Sequence, residues 1–278
     1  MKVAVIGAGT MGSGIAQVMA GHYDVVLRDA IPAALEKAQK GISKNLSKLV
    51  SKGKIDQAAM DQIIGRIKIS SDIKDIKDCD LIIEAATENP KIKMAIFKEL
   101  DENTDAKTIL ASNTSSLSIT EIAAATNRPD KVIGMHFFNP VPVMKLVEVI
   151  SGEKTSEDVK NKIVEISKEI GKTPVEVEEG PGFVVNRILV PMMNEAIGIL
   201  ADGLASAEDI DTAMKLGANH PMGPLALGDL IGWDIVLAVM EVLYTEFGDS
   251  KYRPHIYLKK LVRSGKLGMK TKEGIYKY

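Results

Sequence analysis

Short apolar runs bounded by turns alternate with stretches of helical spacing through about the first 180 residues, and helical spacing fills the rest. Val3-Ala4-Val5-Ile6 is a continuous apolar run and reads as a buried strand. Gly7-Ala8-Gly9-Thr10-Met11-Gly12 turns the chain, Ile15, Ala16, Val18 and Met19 mark a helix ended by Gly21, and Asp24-Val25-Val26-Leu27-Arg28-Asp29 is a second strand. Strand, glycine turn, helix and strand in so short a span make a βαβ unit. From 32 to 64 the spacing turns helical, with Leu35, Ala38, Ile42, Leu46, Leu49 and Val50 as one stripe. Gly53 breaks it and 55–64 returns, so an αα-hairpin is inserted, the shape of a binding appendage. Parallel-strand signals resume at 67–69, 81–83, 108–110, 132–134 and 146–149, with helices expected at 91–100, 119–125 and 156–170. Pro174 confines 173–177 to a sheet edge.

Glu178-Glu179-Gly180-Pro181-Gly182 is the strongest boundary signal. Helices are expected beyond it at 183–203, 207–217, 224–247 and 254–264, with Ser206 and Asp209 as a capping box. The segments 183–203 and 225–243 are apolar nearly all round, which calls for a subunit interface as well as a core. The expected fold is α/β. A Rossmann-type, mostly parallel sheet with an inserted helical hairpin spans 1–180, and an all-α domain for substrate binding and dimerisation spans 181–278.

Composition adjusts this picture at few points. A length of 278 residues suits two domains. A formal net charge of −2 gives no reason to expect nucleic acid or an anionic membrane as partner. The apolar stretch 225–243 is interrupted by Asp229, Asp234 and Glu241, so it is no membrane span. Met1 to Ile6 runs straight into glycines and reads as a strand, not a leader. Cys79 is the single cysteine, which excludes an intrachain disulfide and fits a reducing, cytoplasmic setting.

The glycine turn Gly7-x-Gly9-x-x-Gly12 follows a strand and opens a helix, and Asp29 ends the next strand. Gly7 allows the turn, Gly9 lets backbone approach a pyrophosphate, and Gly12 lets helix and strand pack closely. The helix N-terminus supplies N–H donors, and Asp29 can accept from a ribose diol while repelling a 2′-phosphate, so NAD(H) is expected over its phosphorylated form. Arg28 alternates to the other side and weakens that preference only slightly. Lys37, Lys40, Lys44, Lys48 and Lys52 lie along one helical face with no acid from 37 to 54. A solvated face accounts for such a stripe; so does a polyphosphate ligand. His136 follows an apolar run, and Glu148 interrupts the next one. A buried acid needs a partner and a histidine base needs an orienting group, so the two are expected to face each other. Ser115, His136 and Asn139 fall in loops after strands, where open α/β sheets bind ligands, and Asn186 lies in the first turn beyond the boundary.

With these residues together, the chain resembles the 3-hydroxyacyl-CoA dehydrogenase family over essentially its full length. The carriers are the glycine turn, Ser112-Asn113-Thr114-Ser115-Ser116, the run from His136 through Asn139-Pro140-Val141-Pro142 to Glu148, Gly180-Pro181-Gly182-Phe183-Val184-Val185-Asn186-Arg187, and Leu267-Gly268-Met269-Lys270-Thr271-Lys272-Glu273-Gly274. The compact chain, with no fused hydratase domain, is similar to the stand-alone bacterial 3-hydroxybutyryl-CoA dehydrogenases of butyrate and fatty-acid metabolism. The resemblance implies that His136 is the general acid/base, that Glu148 orients it, and that Ser115 and Asn186 hold the substrate oxygens. It further implies cofactor contacts from Gly7, Gly9, Thr10, Met11, Gly12, Asp29, Glu88, Lys93, Ser115, Asn139 and Lys270. Lys52 matches a contact to CoA, and Asn45 stands where some members carry a CoA-contacting serine.

Plainer roles exist for the same residues. Ser115 could cap the helix near 119, Asn186 could cap its own helix, and Glu88 and Lys93 could be surface groups. His22, His220 and His255 read as structural, and no Cys/His spacing supports a metal. Two other functions use much of this pattern: a dehydrogenase of a non-CoA hydroxy acid, which needs no lysine stripe, and a dinucleotide-binding protein without catalysis, which needs no His136–Glu148 pair.

Overall fold

The structure is a computed structural model and describes residues 1–278. The chain divides into two compact units, Met1–Glu179 and Gly180–Tyr278.

The first unit is built on eight strands: β1 (Lys2–Ile6), β2 (Asp24–Arg28), β3 (Ile67–Ser70), β4 (Leu81–Glu84), β5 (Ile109–Ser112), β6 (Val132–Phe137), β7 (Leu146–Ser151) and β8 (Thr173–Glu178). Their order in the sheet is β3-β2-β1-β4-β5-β6-β7-β8. Helices α1 (Thr10–Met19), α2 (Pro32–Ser51), α3 (Gln57–Gly65), α4 (Pro90–Asn103), α5 (Ile119–Ala124) and α6 (Glu157–Glu169) join them. β4 and β6 are buried at every residue, as expected of strands covered on both faces. The inserted hairpin is α2 and α3; Leu35, Ala38, Ile42 and Leu46 of its stripe are buried in the core that includes Val3, Val5 and Leu27.

β7 departs from the parallel expectation. It pairs antiparallel to β6, and β8 runs parallel to β7. Only residues 138–145 separate β6 from β7, too few for the crossover a parallel neighbour requires, so the chain folds straight back. The turn contains a cis bond at Asn139-Pro140. Thr173–Glu178 is the terminal strand of the sheet, which is where Pro174 can sit.

The second unit contains α7 (Val185–Ala201), α8 (Ala207–Gly217), α9 (Pro224–Ile231), α10 (Trp233–Phe247) and α11 (Ile256–Arg263). The single helix expected over 224–247 is two helices. Gly232 breaks it with φ 106°, and the Trp233 indole turns back so far that a Cβ on Gly228 would lie 2.1 Å from the ring. The Trp233 Nε1 donates to the buried Asp229 carboxylate at 2.5 Å. Asp229 also accepts from the Ile275 and Tyr276 amides and the Tyr278 hydroxyl. Asp211, also buried, accepts from the Leu225 and Ala226 amides and from the Tyr276 hydroxyl. Two carboxylates thereby bind the last residues of the chain to α8 and α9. Ser206 caps α8 by accepting from the Asp209 amide and donating to its carboxylate.

No helix is long and apolar enough to cross a membrane.

Candidate active site

The glycine turn is built as its spacing requires. Gly7 has φ 98°, and a Cβ on it would lie 2.7 Å from the Ala86 Cα. A Cβ on Gly12 would sit 1.8 Å from the Gly7 carbonyl oxygen, so α1 can approach β1 only without one. A Cβ on Gly9 would meet nothing within 4 Å. Its side is therefore open toward a ligand, and Gly9 caps α1 without a side-chain acceptor, leaving first-turn N–H groups for an anion. Asp29 accepts from the Ala8 amide at 2.7 Å and the Ile31 amide at 2.9 Å, which fixes its carboxylate beside the turn. Arg28 points to Glu99 of α4, 3.9 Å away. These features fit an adenine dinucleotide: an open glycine for the pyrophosphate and a fixed acid for a ribose diol.

Beyond β4 lies a second polar system. Glu84 is fully buried and accepts from the Ala86 and Thr87 amides, the Lys93 ammonium and the Ser112 hydroxyl. It ties the end of β4 to α4 and to the end of β5. Glu88, four residues on, accepts from the Ser115 amide at 2.7 Å, the Ser115 hydroxyl at 3.0 Å and the Thr114 hydroxyl at 2.7 Å. Met11, Ala85, Ala86, Thr87, Glu88, Lys93 and Asn113 line a cavity of about 270 Å³ between these groups.

His136, expected in a loop after its strand, lies within β6 and is paired directly with Glu148 of β7. His136 Nδ1 lies 2.8 Å from Glu148 Oε2, with His136 6% and Glu148 1% exposed. The Phe138 ring packs on the imidazole, centroids 4.4 Å apart. Beside a carboxylate, Nδ1 is placed to donate, and the contact orients the ring. The returning loop is held from beneath by Lys172, whose ammonium donates to the carbonyls of Val141 and Met144. Burial pushes that ammonium below the ordinary lysine range. Val141 packs on α1, where a Cβ on Gly14 would lie 3.0 Å from it.

The model for the 3-hydroxyacyl-CoA dehydrogenase NAD binding domain matches residues 2–180, and that for the 3-hydroxyacyl-CoA dehydrogenase C-terminal domain matches residues 182–278. The chain belongs to the 3-hydroxyacyl-CoA dehydrogenase family. A 3-hydroxybutyryl-CoA dehydrogenase of Clostridioides difficile is 62% identical over 100% of this chain and 99% of its own. The human mitochondrial hydroxyacyl-coenzyme A dehydrogenase is 47% identical over 99% of this chain and 90% of its own. The crystal structure of an (S)-3-hydroxybutyryl-CoA dehydrogenase from Ralstonia eutropha superposes with a TM-score of 0.97 at 51% identity, covering 100% of this chain and 98% of that one.

Within this 3-hydroxyacyl-CoA dehydrogenase, Thr10 and Met11 lie in the first turn of α1, and Asn139 is exposed in the β6–β7 loop. Asn45 is exposed on α2, Lys52 is exposed at its C-cap, and the other four lysines of the stripe are exposed along it. Lys93 is 1% exposed, bonded to Glu84 and Ser112, and is therefore no surface group. Asn186 is in the first turn of α7 and Lys270 pairs with Asp234 at 2.5 Å; both belong to the second unit. Ser115 does not cap α5, because Ser118 does. His255 caps α11 through Nδ1. No group of three or more His, Cys, Asp or Glu is placed to hold a metal ion. Glu84, Asn113 and Lys172 were missed from the sequence. Glu84 had a signal: like Glu148, it is a lone carboxylate in an apolar strand.

Proposed function

We propose that the chain catalyses reversible NAD(H)-linked hydride transfer between (S)-3-hydroxybutyryl-CoA and acetoacetyl-CoA. The observation that carries this reading is the buried His136 Nδ1–Glu148 Oε2 contact of 2.8 Å, set at the carboxyl end of β6 in the unit that holds the glycine turn. The identities above and the printed names of those relatives support the substrate class.

Bound NAD supplies the hydride acceptor. In oxidation, His136 Nε2 takes the proton of the 3-hydroxyl, and the resulting imidazolium lies against the Glu148 carboxylate. Glu148 is no second proton relay; it orients the imidazole, in the manner of the third member of a catalytic triad. Ser115 and Asn186 hydrogen-bond the substrate oxygens, and Glu88 orients Ser115 by accepting from its amide and hydroxyl. In reduction the His136 imidazolium returns the proton. The fixed glycine turn and Asp29 hold the adenosine half, with Glu88, Lys93, Asn139 and Lys270 on the cofactor's remaining length. Asn45, Lys52 and the exposed lysines of α2 meet the phosphates of CoA.

Residues 1–180 carry the dinucleotide and the base, and 181–278 carry substrate contacts and a homodimer interface, to which the exposed Leu204, Leu216 and Ile256 contribute apolar area. The setting is cytoplasmic, in butyrate or fatty-acid metabolism. The purified protein is expected to consume NADH with acetoacetyl-CoA and not with free acetoacetate, and to sediment as a dimer. His136→Ala should lower kcat by about 10²- to 10⁴-fold while NADH still binds. Undiminished turnover in that variant removes His136 from the chemistry.

A further inference from the structure

Asn113 is nine-tenths buried at the end of β5, and its side chain faces two ways. Its Oδ1 accepts from the Phe137 amide at 2.8 Å, one residue beyond His136. A backbone N–H is only a donor, so this bond fixes which amide atom faces β6: the oxygen. The Nδ2 group must then point the other way, and Asn113 lines the cavity shared with Met11, Ala85–Glu88 and Lys93. No protein acceptor is bonded to it there; the Asn113 side chain's one hydrogen bond is to Phe137.

The sheet order says which part of a dinucleotide reaches that cavity. Asp29, the acid for the adenosine ribose, ends β2, on one side of β1 and its glycine turn. Glu88 and Asn113 follow β4 and β5, on the other side. A dinucleotide whose pyrophosphate sits at the turn and whose adenosine half lies over β2 must lay its nicotinamide half over β4 and β5. The polar groups of the cavity are complementary to a vicinal diol. Glu88 already receives three donors, from Thr114 and Ser115, and a carboxylate has room for about four, leaving a place for a hydroxyl hydrogen. Asn113 supplies a donor to the hydroxyl oxygen.

We propose that Asn113 Nδ2 donates to a hydroxyl oxygen of the nicotinamide-side ribose, making Asn113 a cofactor-binding residue that also fixes the strand carrying the base. The proposal rests on the NAD(H) reading. Asn113→Asp tests it, because the carboxylate still accepts from the Phe137 amide while the donor is lost and a negative charge faces Glu88. The NADH dissociation constant should rise about tenfold, the size of one lost hydrogen bond, and the ligand-free thermal midpoint should fall, because a charge is buried beside Glu88. ADP, which lacks the second ribose, should bind variant and parent alike. NADH affinity within about twofold of the parent, or equal weakening of ADP and NADH, overturns the proposal. A parent that binds no NADH overturns the NAD(H) reading instead. The unaltered protein provides a second measurement that does not depend on the variant folding. The Asn113 side-chain amide resonances should move on saturation with NADH and stay in place with ADP; resonances unmoved by NADH overturn the assignment.

Discussion

The imidazole of His136 is oriented through Nδ1 by a single carboxylate, that of Glu148. Glu148→Gln keeps the shape and removes the charge that, in the proposed mechanism, selects the tautomer and stabilises the imidazolium. We expect kcat to fall about 10²- to 10⁴-fold with the NADH dissociation constant nearly unchanged, measured by steady-state rates and fluorescence titration. Equal losses in both would make the pair a structural device. The pair was legible in the sequence because a lone acid in an apolar strand is costly without a partner. The same signature at Glu84 marks a different object, a buried carboxylate that gathers four donors from three segments. Cost identifies a partnered acid; it does not say with what. Asn113 was illegible for the opposite reason, since a neutral amide in a polar run has many cheap partners and only the fold selects one.

Among the elements, α1 and β1 make the most demanding contact. Gly12→Ala would drive a methyl into the Gly7 carbonyl, and the helix must then lift from the strand. The expected result is NADH affinity weaker by about tenfold or more and a lower thermal midpoint, by titration and calorimetry. An unchanged NADH affinity would show that the turn tolerates the shift. The βαβ unit, the inserted hairpin, the edge position of β8 and the Ser206 cap were all readable, because spacing and capping are local signals. The direction of β7 was not, because a buried strand has the same apolar run whichever way it points; only the short 138–145 connection distinguishes the cases. The division of 224–247 was hidden similarly. The helical spacing continues across Gly232, and the break comes from the Trp233 indole seeking Asp229 and the space over Gly228.

At the scale of the molecule, the helical unit closes on its own C-terminal residues through phenols and carboxylates. Burial, aided by the bond to Asp211, raises the Tyr276 hydroxyl well above its ordinary range; burial, aided by Asp229, pushes Tyr278 from 10.0 up to about 12. Below about pH 10 folded and unfolded chains both hold these protons, and the stabilisation is complete. Above it the unfolded chain releases them first, so stability falls as pH rises through 10 toward 12. Tyr276→Phe with Tyr278→Phe should lower the thermal midpoint near neutrality and flatten its alkaline decline, followed by circular dichroism. An equally steep decline in the double variant would assign it to other groups. In the other unit, the β6–β7 reversal has its own consequence. Residues 138–145 close a short loop, and a crossover of about thirty residues would add roughly two doublings of loop length, each costing about 0.6 kcal/mol. His136 and Glu148 therefore meet at low cost in chain entropy. Their pairing is also proofread by the sheet. A slip of one residue would turn Glu148 to the face where Val147 and Val149 are buried, leaving a charge among hydrocarbons. A mispaired His136–Glu148 site would then be a misfolded one, and quality control that removes the second removes the first.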